Sequence, residues 1–351
     1  VHRIEIAAPD GGDMRLTVGL DGRQRQAVRG DDPRTASGSG DDLLTLTAGS
    51  LDGDLVLDQR VRNSAFRVSM RARHRIVEGS GVHQVPLHDT GRSREEISWQ
   101  AEPGGRLVID RYVAIADGRR HDEAALDRVC GAVLDAAEAA GADALMAEQA
   151  QAFGAFWAAS DVEIDGDPAL QQGLRFNLFH IFQSTGRDAL FPIAAKGLSS
   201  DGYDGHVFWD GEIYVLPVLA HSMPHLARNL LAFRCATLAR SRARARQLAH
   251  DQGALYAWRT IDGRECSAYF PAGTAQYHIN ADIAYAVRSY WRITGDDAFL
   301  RDYGVEIVIE TARIWLSTGH FNRRRGGVFC IDEVTGPDEY SALVNNNFYT
   351  N

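Results

Sequence analysis

No stretch of this chain approaches the ~20 consecutive apolar residues that a bilayer-crossing helix needs, which excludes a helical membrane span. Cysteine is scarce as well. Cys130, Cys235, Cys266 and Cys330 stand far apart with no Cys-x-x-Cys pair, which argues against a disulfide framework and against a zinc site, and makes a reducing compartment the default. Positive charge is in deficit. Against 47 Asp and Glu there are 37 Lys and Arg, a formal net charge of −10, and such a surface suits a neutral or cationic partner better than the phosphates of a nucleic acid. No secretory signal is visible and a cytoplasmic location is expected, although the chain opens on Val1 rather than Met, so a missing leader stays compatible.

Arg240, Arg242, Arg244 and Arg246 look like a basic patch at first sight. Residues two apart on a helix do not share a face, so a solvated helix with its guanidinium groups spread around it is expected. The 351 residues, 45% of them hydrophobic, suffice for two domains with a substantial core.

Residues 1–121 read as β-structure. Short alternating stretches at Arg15–Leu20, Leu55–Leu57, Phe66–Met70 and Arg106–Ile109 are separated by Gly, Asp and Pro clusters, the pattern of a β-sandwich. Composition changes at Asp122, and residues 122–166 read as a helical linker rich in Ala, Glu, Leu and Asp, with Gly131 and Gly141 as weak points. From Asp167 the helices lengthen. Asp167-Pro168 is a cap followed by a first-turn proline, and Leu170, Leu174, Leu178, Ile181 and Phe182 recur at helical spacing as one buried stripe. Further helices are expected from Pro224 through Leu238, from Asn280 to Gly295, and from Val305 to Gly319, the last carrying Val308, Ala312, Trp315 and Leu316. Helix after helix without a short fixed period points to a closed barrel of helical hairpins over 167–351 rather than an open solenoid. The chain ends at Asn351 without a polar tail, as if inside a domain.

Three loop segments concentrate the residues that could do chemistry. The first holds Lys196-Gly197-Leu198 and then Gly202 to Glu212, with His206, Trp209 and Asp210. Aromatic rings beside carboxylates suit a sugar, whose apolar face stacks on Trp and whose hydroxyls donate to carboxylates; a buried Trp with Asp210 capping the next helix fits equally well. The second runs from Trp258-Arg259 to Glu265, then from Pro271 through Gln276-Tyr277-His278 to Asn280. His278 alone reads as a structural hydrogen-bonding residue, and its spacing to His206 does not suggest a metal. The third is Val334 to Tyr340, followed by Asn345-Asn346-Asn347. By itself Gly336-Pro337-Asp338-Glu339 is an ordinary turn sequence.

In combination these segments resemble glycoside hydrolase family 65. The resemblance covers residues 168–351, on Gln172 to Phe179, Gly205 to Asp210, Tyr277 to Tyr285 and Val334 to Tyr340, in one order. It implies an N-terminal β-sandwich, a helical linker and the first part of an (α/α)6 barrel, incomplete in this chain. It implies Glu339 as general acid, Trp209 and Asp210 holding the glucosyl unit, and Trp258, Arg259 and Glu265 near the acceptor sugar. Several relatives carry an acidic residue after that Trp, so Arg259 is a departure that leaves the acceptor open. The Arg259 to Ser267 stretch, and Ser341 rather than His after Tyr340, look more like the trehalose- or kojibiose-acting branch than maltose phosphorylase.

The chemistry implied is inverting phosphorolysis of an α-glucosyl disaccharide, with inorganic phosphate as co-substrate and β-glucose 1-phosphate as product. An inverting hydrolase of the same α-glucosides is the alternative, since a phosphorylase dispenses only with the second carboxylate that activates water. A non-catalytic sugar-binding protein on the same scaffold is the third. Glu339 must hold its proton at the moment of cleavage; burial or a neighbouring carboxylate, Asp338 being the adjacent one, favours the neutral form. No metal or organic cofactor is implied, and the resemblance admits a homodimer.

Overall fold

The computed structural model describes residues 1–23, 43–61, 66–198, 203–267, 269–340 and 342–351. Gly202 and Ser341, both singled out in the sequence, lie outside the described residues. The described chain forms two compact units that meet in sequence at Ala155/Phe156.

Alternation of apolar and polar side chains sets the first unit. Eight strands, β1 (His2–Ala8), β2 (Gly12–Asp21), β3 (Leu43–Leu51), β4 (Asp54–Val61), β5 (Arg67–Glu78), β6 (His83–Asp89), β7 (Arg92–Ala101) and β8 (Gly105–Asp117), form two antiparallel sheets. Five strands run in the order β1-β8-β5-β4-β3 and three in the order β2-β7-β6. Asp52 and Gly53, both at positive φ (53° and 84°), make the tight Asp-Gly turn between β3 and β4. The sheets share a core. Leu107 and Ile109 of β8 pack with Val18 of β2 and with Ile97 and Trp99 of β7. Burial of each such aliphatic side chain is worth about 1.5–3 kcal/mol. The strand stretches expected from the sequence fall within β2, β4, β5 and β8, except that Phe66 precedes β5, and β5 and β8 run to 12 and 13 residues, longer than the short alternating cores that marked them.

Helices α1 (Leu126–Ala140) and α2 (Ala142–Ser160) follow. The apolar stripe Leu126, Cys130, Leu134 of α1 covers Tyr112, Ala114 and Ala116 of β8. Ion pairs fasten its polar edge: Glu138 binds Arg73 and Arg75 of β5, Asp135 binds Arg73, and Asp127 binds Arg71.

The second unit is helical. Asp167 caps α3 (Pro168–Ser184), its carboxylate accepting from Ala169 and Leu170 N–H groups at 3.0 Å. A π-helical turn at Gly211–Val215 leads into α4 (Leu216–Ser222), then α5 (Pro224–Ala236) and α6 (Leu238–Gln247), with the break at Thr237. The single helix expected from Pro224 through Leu238 is therefore two. After α7 (Phe270–Ala275), α8 (His278–Thr294) ends on left-handed Gly295. A short α9 (Asp297–Phe299), α10 (Val305–Thr318) and a hairpin of β9 (Gly319–Asn322) and β10 (Val328–Ile331) complete the unit.

Two apolar stripes differ from expectation. On α3 only Leu178 and Phe182 are buried, Phe182 stacking on Phe156 at 4.2 Å, while Leu170 is 56% exposed. On α10 the buried face is Ile307, Glu310, Thr311 and Ile314, whereas Val308 and Leu316 are exposed. That helix carries apolar residues on two faces, and spacing alone does not say which one packs. The four arginines of α6 point to separate partners: Arg242 to Glu306 and Glu310, Arg244 to the Gly273 carbonyl, Arg246 to the His250 carbonyl, and Arg240 to Asp262. Among the described residues no helix is long and apolar enough to cross a membrane.

Candidate active site

The three loop segments meet in the second unit. Val207 and Thr260 exchange backbone hydrogen bonds at 2.7 and 3.1 Å, and Phe208 meets Trp258 edge to face at 4.9 Å, so the first segment is stitched to the second. The third joins through the Thr335 N–H, which donates to the Ala275 carbonyl at 2.9 Å. A turn sequence is thereby fixed beside the N-terminus of α8.

Glu339 sits in that turn, half-buried, and accepts a 2.9 Å hydrogen bond from Gln276 Nε2. The Gln276 Oε1 lies 3.1 Å from His278 Nε2, and His278 Nδ1 lies 2.7 Å from Asp282 Oδ2 one helical turn on. Tyr349 donates its hydroxyl to the other Asp282 oxygen at 2.8 Å. The chain Glu339–Gln276–His278–Asp282–Tyr349 is thus continuous, and His278 and Gln276 within it are buried.

Trp209 stands against this chain. Its indole meets the His278 ring edge to face at 5.0 Å and is almost wholly buried. Asp210 keeps solvent access on one side, and its side chain makes no cap bond to the π-helical turn that follows. The alternative of a mere helix cap is therefore not what the geometry shows. Partial burial, then the nearby carboxyl groups of Glu339 and Asp282, push the Asp210 carboxyl above the usual aspartate range. Asp210 also lines a cleft of about 540 Å³ with Asn177, His180, Ser184 and Lys196. Asp338, the neighbour expected to act on Glu339, is exposed and turned to the Tyr340 N–H at 3.1 Å. Adjacent residues in a tight turn point apart.

Trp258, Arg259 and Glu265 form an adjoining group. Trp258 and Arg259 are buried. Arg259 Nη2 lies 3.4 Å from His206 Nδ1, and its guanidinium carbon lies 6.0 Å from the Tyr203 ring centre. Glu265 accepts from the backbone N–H groups of Trp258, Arg259 and Ser267 at 2.7, 3.2 and 2.9 Å. Burial raises its carboxyl above the ordinary range against the pull of those bonds. Its oxygens hold the Trp258–Arg259 loop in shape.

Several residues make contacts that the sequence did not assign to them. Arg234 of α5 is fully buried in a two-pronged pair with Glu212 at 2.7 and 2.8 Å, and also reaches the Phe208 carbonyl at 3.3 Å. It braces the segment that carries Trp209 and Asp210. An arginine amid Leu230, Leu231 and Phe233 was the available signal. Gln276 and Asp282 lie two before and four after His278, a spacing that puts Asp282 on the histidine's own helix face. The run Asn345-Asn346-Asn347 uses its amide oxygens on backbone N–H groups of Glu333, Ile331, and Tyr349 with Thr350 respectively. These bonds frame the Glu339 turn.

The model of the glycosyl hydrolase family 65 central catalytic domain matches residues 175–351, and that of the family's N-terminal domain matches 1–156. The chain is 42% identical to an α,α-trehalose phosphorylase of Geobacillus stearothermophilus over 97% of this chain and 43% of that protein. It is 34% identical to a kojibiose phosphorylase of Halothermothrix orenii over 86% of this chain and 41% of that one. A solved structure of a provisionally named kojibiose phosphorylase from the human microbiome superposes with a TM-score of 0.85 at 26% identity, covering 99% of this chain and 44% of its own. The chain thus spans less than half the length of the relatives it matches. With both family models matched in order, over residues 1–156 and 175–351, the chain belongs to glycosyl hydrolase family 65.

Proposed function

We propose that the full-length protein carrying this chain cleaves an α-glucosyl disaccharide with inorganic phosphate, releasing β-glucose 1-phosphate and a free sugar. Trehalose comes first and kojibiose second, supported by the names of the 42% and 34% identical relatives; maltose is third. The stacked sheets of the first unit serve as the family's β-sandwich, and the helices of the second as the first part of its (α/α)6 barrel.

The observation that carries the proposal is the Glu339 carboxyl, held by Gln276 at the end of a hydrogen-bonded chain whose His278 meets Trp209, the residue before Asp210, edge to face. Glu339 serves as the acid, while the Asp210 carboxyl accepts from sugar hydroxyls. In the reaction a phosphate oxygen attacks the anomeric carbon from the face opposite the leaving sugar. The bond to the leaving oxygen breaks, and Glu339 gives that oxygen its proton. Asp210 and Trp209 orient the glucosyl unit, and the Trp258–Arg259 loop, held by Glu265, faces the acceptor.

Incubation with trehalose, kojibiose and maltose, each with and without phosphate, tests this. Phosphate-dependent β-glucose 1-phosphate supports it. Glucose released without phosphate makes the protein a hydrolase, and binding without product makes it a sugar-binding protein.

A further inference from the structure

Of the 37 Lys and Arg in this chain, Lys196 is the one lysine and the other 36 are arginines. Many of the arginines serve as forks. Arg3 grips Asp110, Arg73 grips Asp54, Arg175 grips Asp161 and Arg234 grips Glu212, each through two nitrogens. Lys196 stands apart from them. Among the described residues it enters no ion pair, and its exposed ammonium lies 5.9 Å from the Tyr203 ring centre. An ammonium is a compact charge with three rotatable donors, whereas a guanidinium is a planar fork, so neither replaces the other at a shaped site.

The loop that carries Lys196 is built on the segment that carries Asp210. The Ala195 N–H donates to the His206 carbonyl at 3.1 Å, and the Gly197 N–H closes a turn on the Ala194 carbonyl at 3.0 Å. Gly197 stands at φ 65°, and a Cβ there would come within 2.7 Å of Ser184 Oγ at the end of α3. Both facts demand glycine, and they press the turn onto α3. Lys196 and Asp210 therefore line one cleft of about 540 Å³, with Asn177, His180 and Ser184 of α3 and apolar wall from Ile193 and Phe208.

A cleft of that size takes a small organic ligand, and its walls suit a polyol. Each sugar hydroxyl donates one hydrogen and accepts through its lone pairs. A carboxylate only accepts, so hydroxyl oxygens that give their hydrogens to Asp210 still call for a donor, which the ammonium supplies. Burial, then Glu339 and Asp282, already raise the Asp210 carboxyl. A phosphate dianion beside it would add to that crowd of negative charge, and an uncharged sugar does not. Resting on Asp210 as the acceptor of glucosyl hydroxyls, we propose that Lys196 is a substrate-binding residue that donates to hydroxyl oxygens of the same glucosyl unit.

Acylation of the full-length protein with N-hydroxysuccinimidyl acetate tests this without turnover, the peptide spanning residue 196 being followed by mass spectrometry. Trehalose at about ten times its dissociation constant, without phosphate, is expected to slow modification of Lys196 about tenfold. Phosphate alone is expected to leave the rate unchanged. Protection by phosphate and not by the sugar overturns the proposal, and so does the absence of any protection. In kinetics, Lys196→Gln and Lys196→Arg are each expected to lower kcat/KM for the disaccharide by about tenfold, with the KM for phosphate unmoved. An arginine that restores wild-type values reduces Lys196 to a surface charge and overturns its role; a rise confined to the KM for phosphate does the same by making it an anion site. Protection by trehalose in a protein that forms no glucose 1-phosphate removes the phosphorylase reading and keeps Lys196 at the sugar. Phosphorolysis with Lys196 unprotected keeps that reading and removes Lys196 from the site.

Discussion

Arg234 and Glu212 meet as a two-pronged ion pair with 1% and 0% of their side chains exposed, at 2.7 and 2.8 Å. The pair ties α5 to the turn that follows Asp210, and the same guanidinium holds the Phe208 carbonyl. Removing one partner leaves the other charge buried and unmatched, which costs about 3–5 kcal/mol. Glu212→Gln and Arg234→Met are each expected to lower the denaturant midpoint accordingly. The double variant Arg234→Met, Glu212→Met is expected to regain much of that loss, because no unpaired charge remains. A single variant as stable as the wild type would show that the pair is dispensable.

Glu339→Gln is expected to remove turnover while leaving sugar binding in place. The amide keeps the shape and a hydrogen bond to Gln276 but has no proton to give. General acid catalysis typically contributes about 10²–10⁴-fold, and kcat measured with saturating disaccharide and phosphate should fall by at least that range. A kcat within a few-fold of the wild type would transfer the acid role elsewhere.

Much of the fold was legible because its signals are local. Asp167-Pro168 marked a helix start, Gly295 a helix end, and alternation at Arg15–Leu20 a strand. The site was legible only as three loops of suspicious composition. What joins them is long-range: Gln276 reaches Glu339 across 63 positions, and Val207 pairs with Thr260 across 53. No local pattern reports such contacts. The same holds for Glu265, which the resemblance sets near the acceptor sugar and whose oxygens accept from three backbone N–H groups, two of them six and seven positions back. On α10 the sequence offered two apolar faces, and tertiary packing chose Ile307 and Ile314.

In the first unit, Glu138 of α1 is held by Arg75 and then Arg73 of β5, which bring its carboxyl down to about 2. A depressed carboxyl stabilises the folded state above its unfolded value of 4.5, and that contribution is lost as pH falls from there towards about 2. Glu138 is one-third exposed, so solvent screening reduces its worth to about 1 kcal/mol. Glu138→Gln is therefore expected to melt lower than the wild type at pH 7, with the gap closing below pH 3 (about the middle of that window). A gap that persists at the acid end would mean that packing of α1, not charge, was lost.

Asp210 reverses that sign. Burial first, then Glu339 and Asp282, raise its carboxyl above the ordinary aspartate value of 3.8. The folded state thus prefers the neutral form, and stability present below the unfolded value is lost as pH rises through the raised one. Asp210→Asn removes the repulsion, so the variant is expected to be more stable than the wild type at neutral pH and equal to it in acid. Activity should move the other way. A hydrogen bond from a sugar hydroxyl to a charged acceptor is worth about 1.5–3 kcal/mol, so kcat/KM is expected to fall by about tenfold or more. Gain in melting temperature together with loss of kcat/KM would mark Asp210 as a residue kept for the sugar at the expense of the fold, whereas a variant that loses both would place it in the scaffold instead.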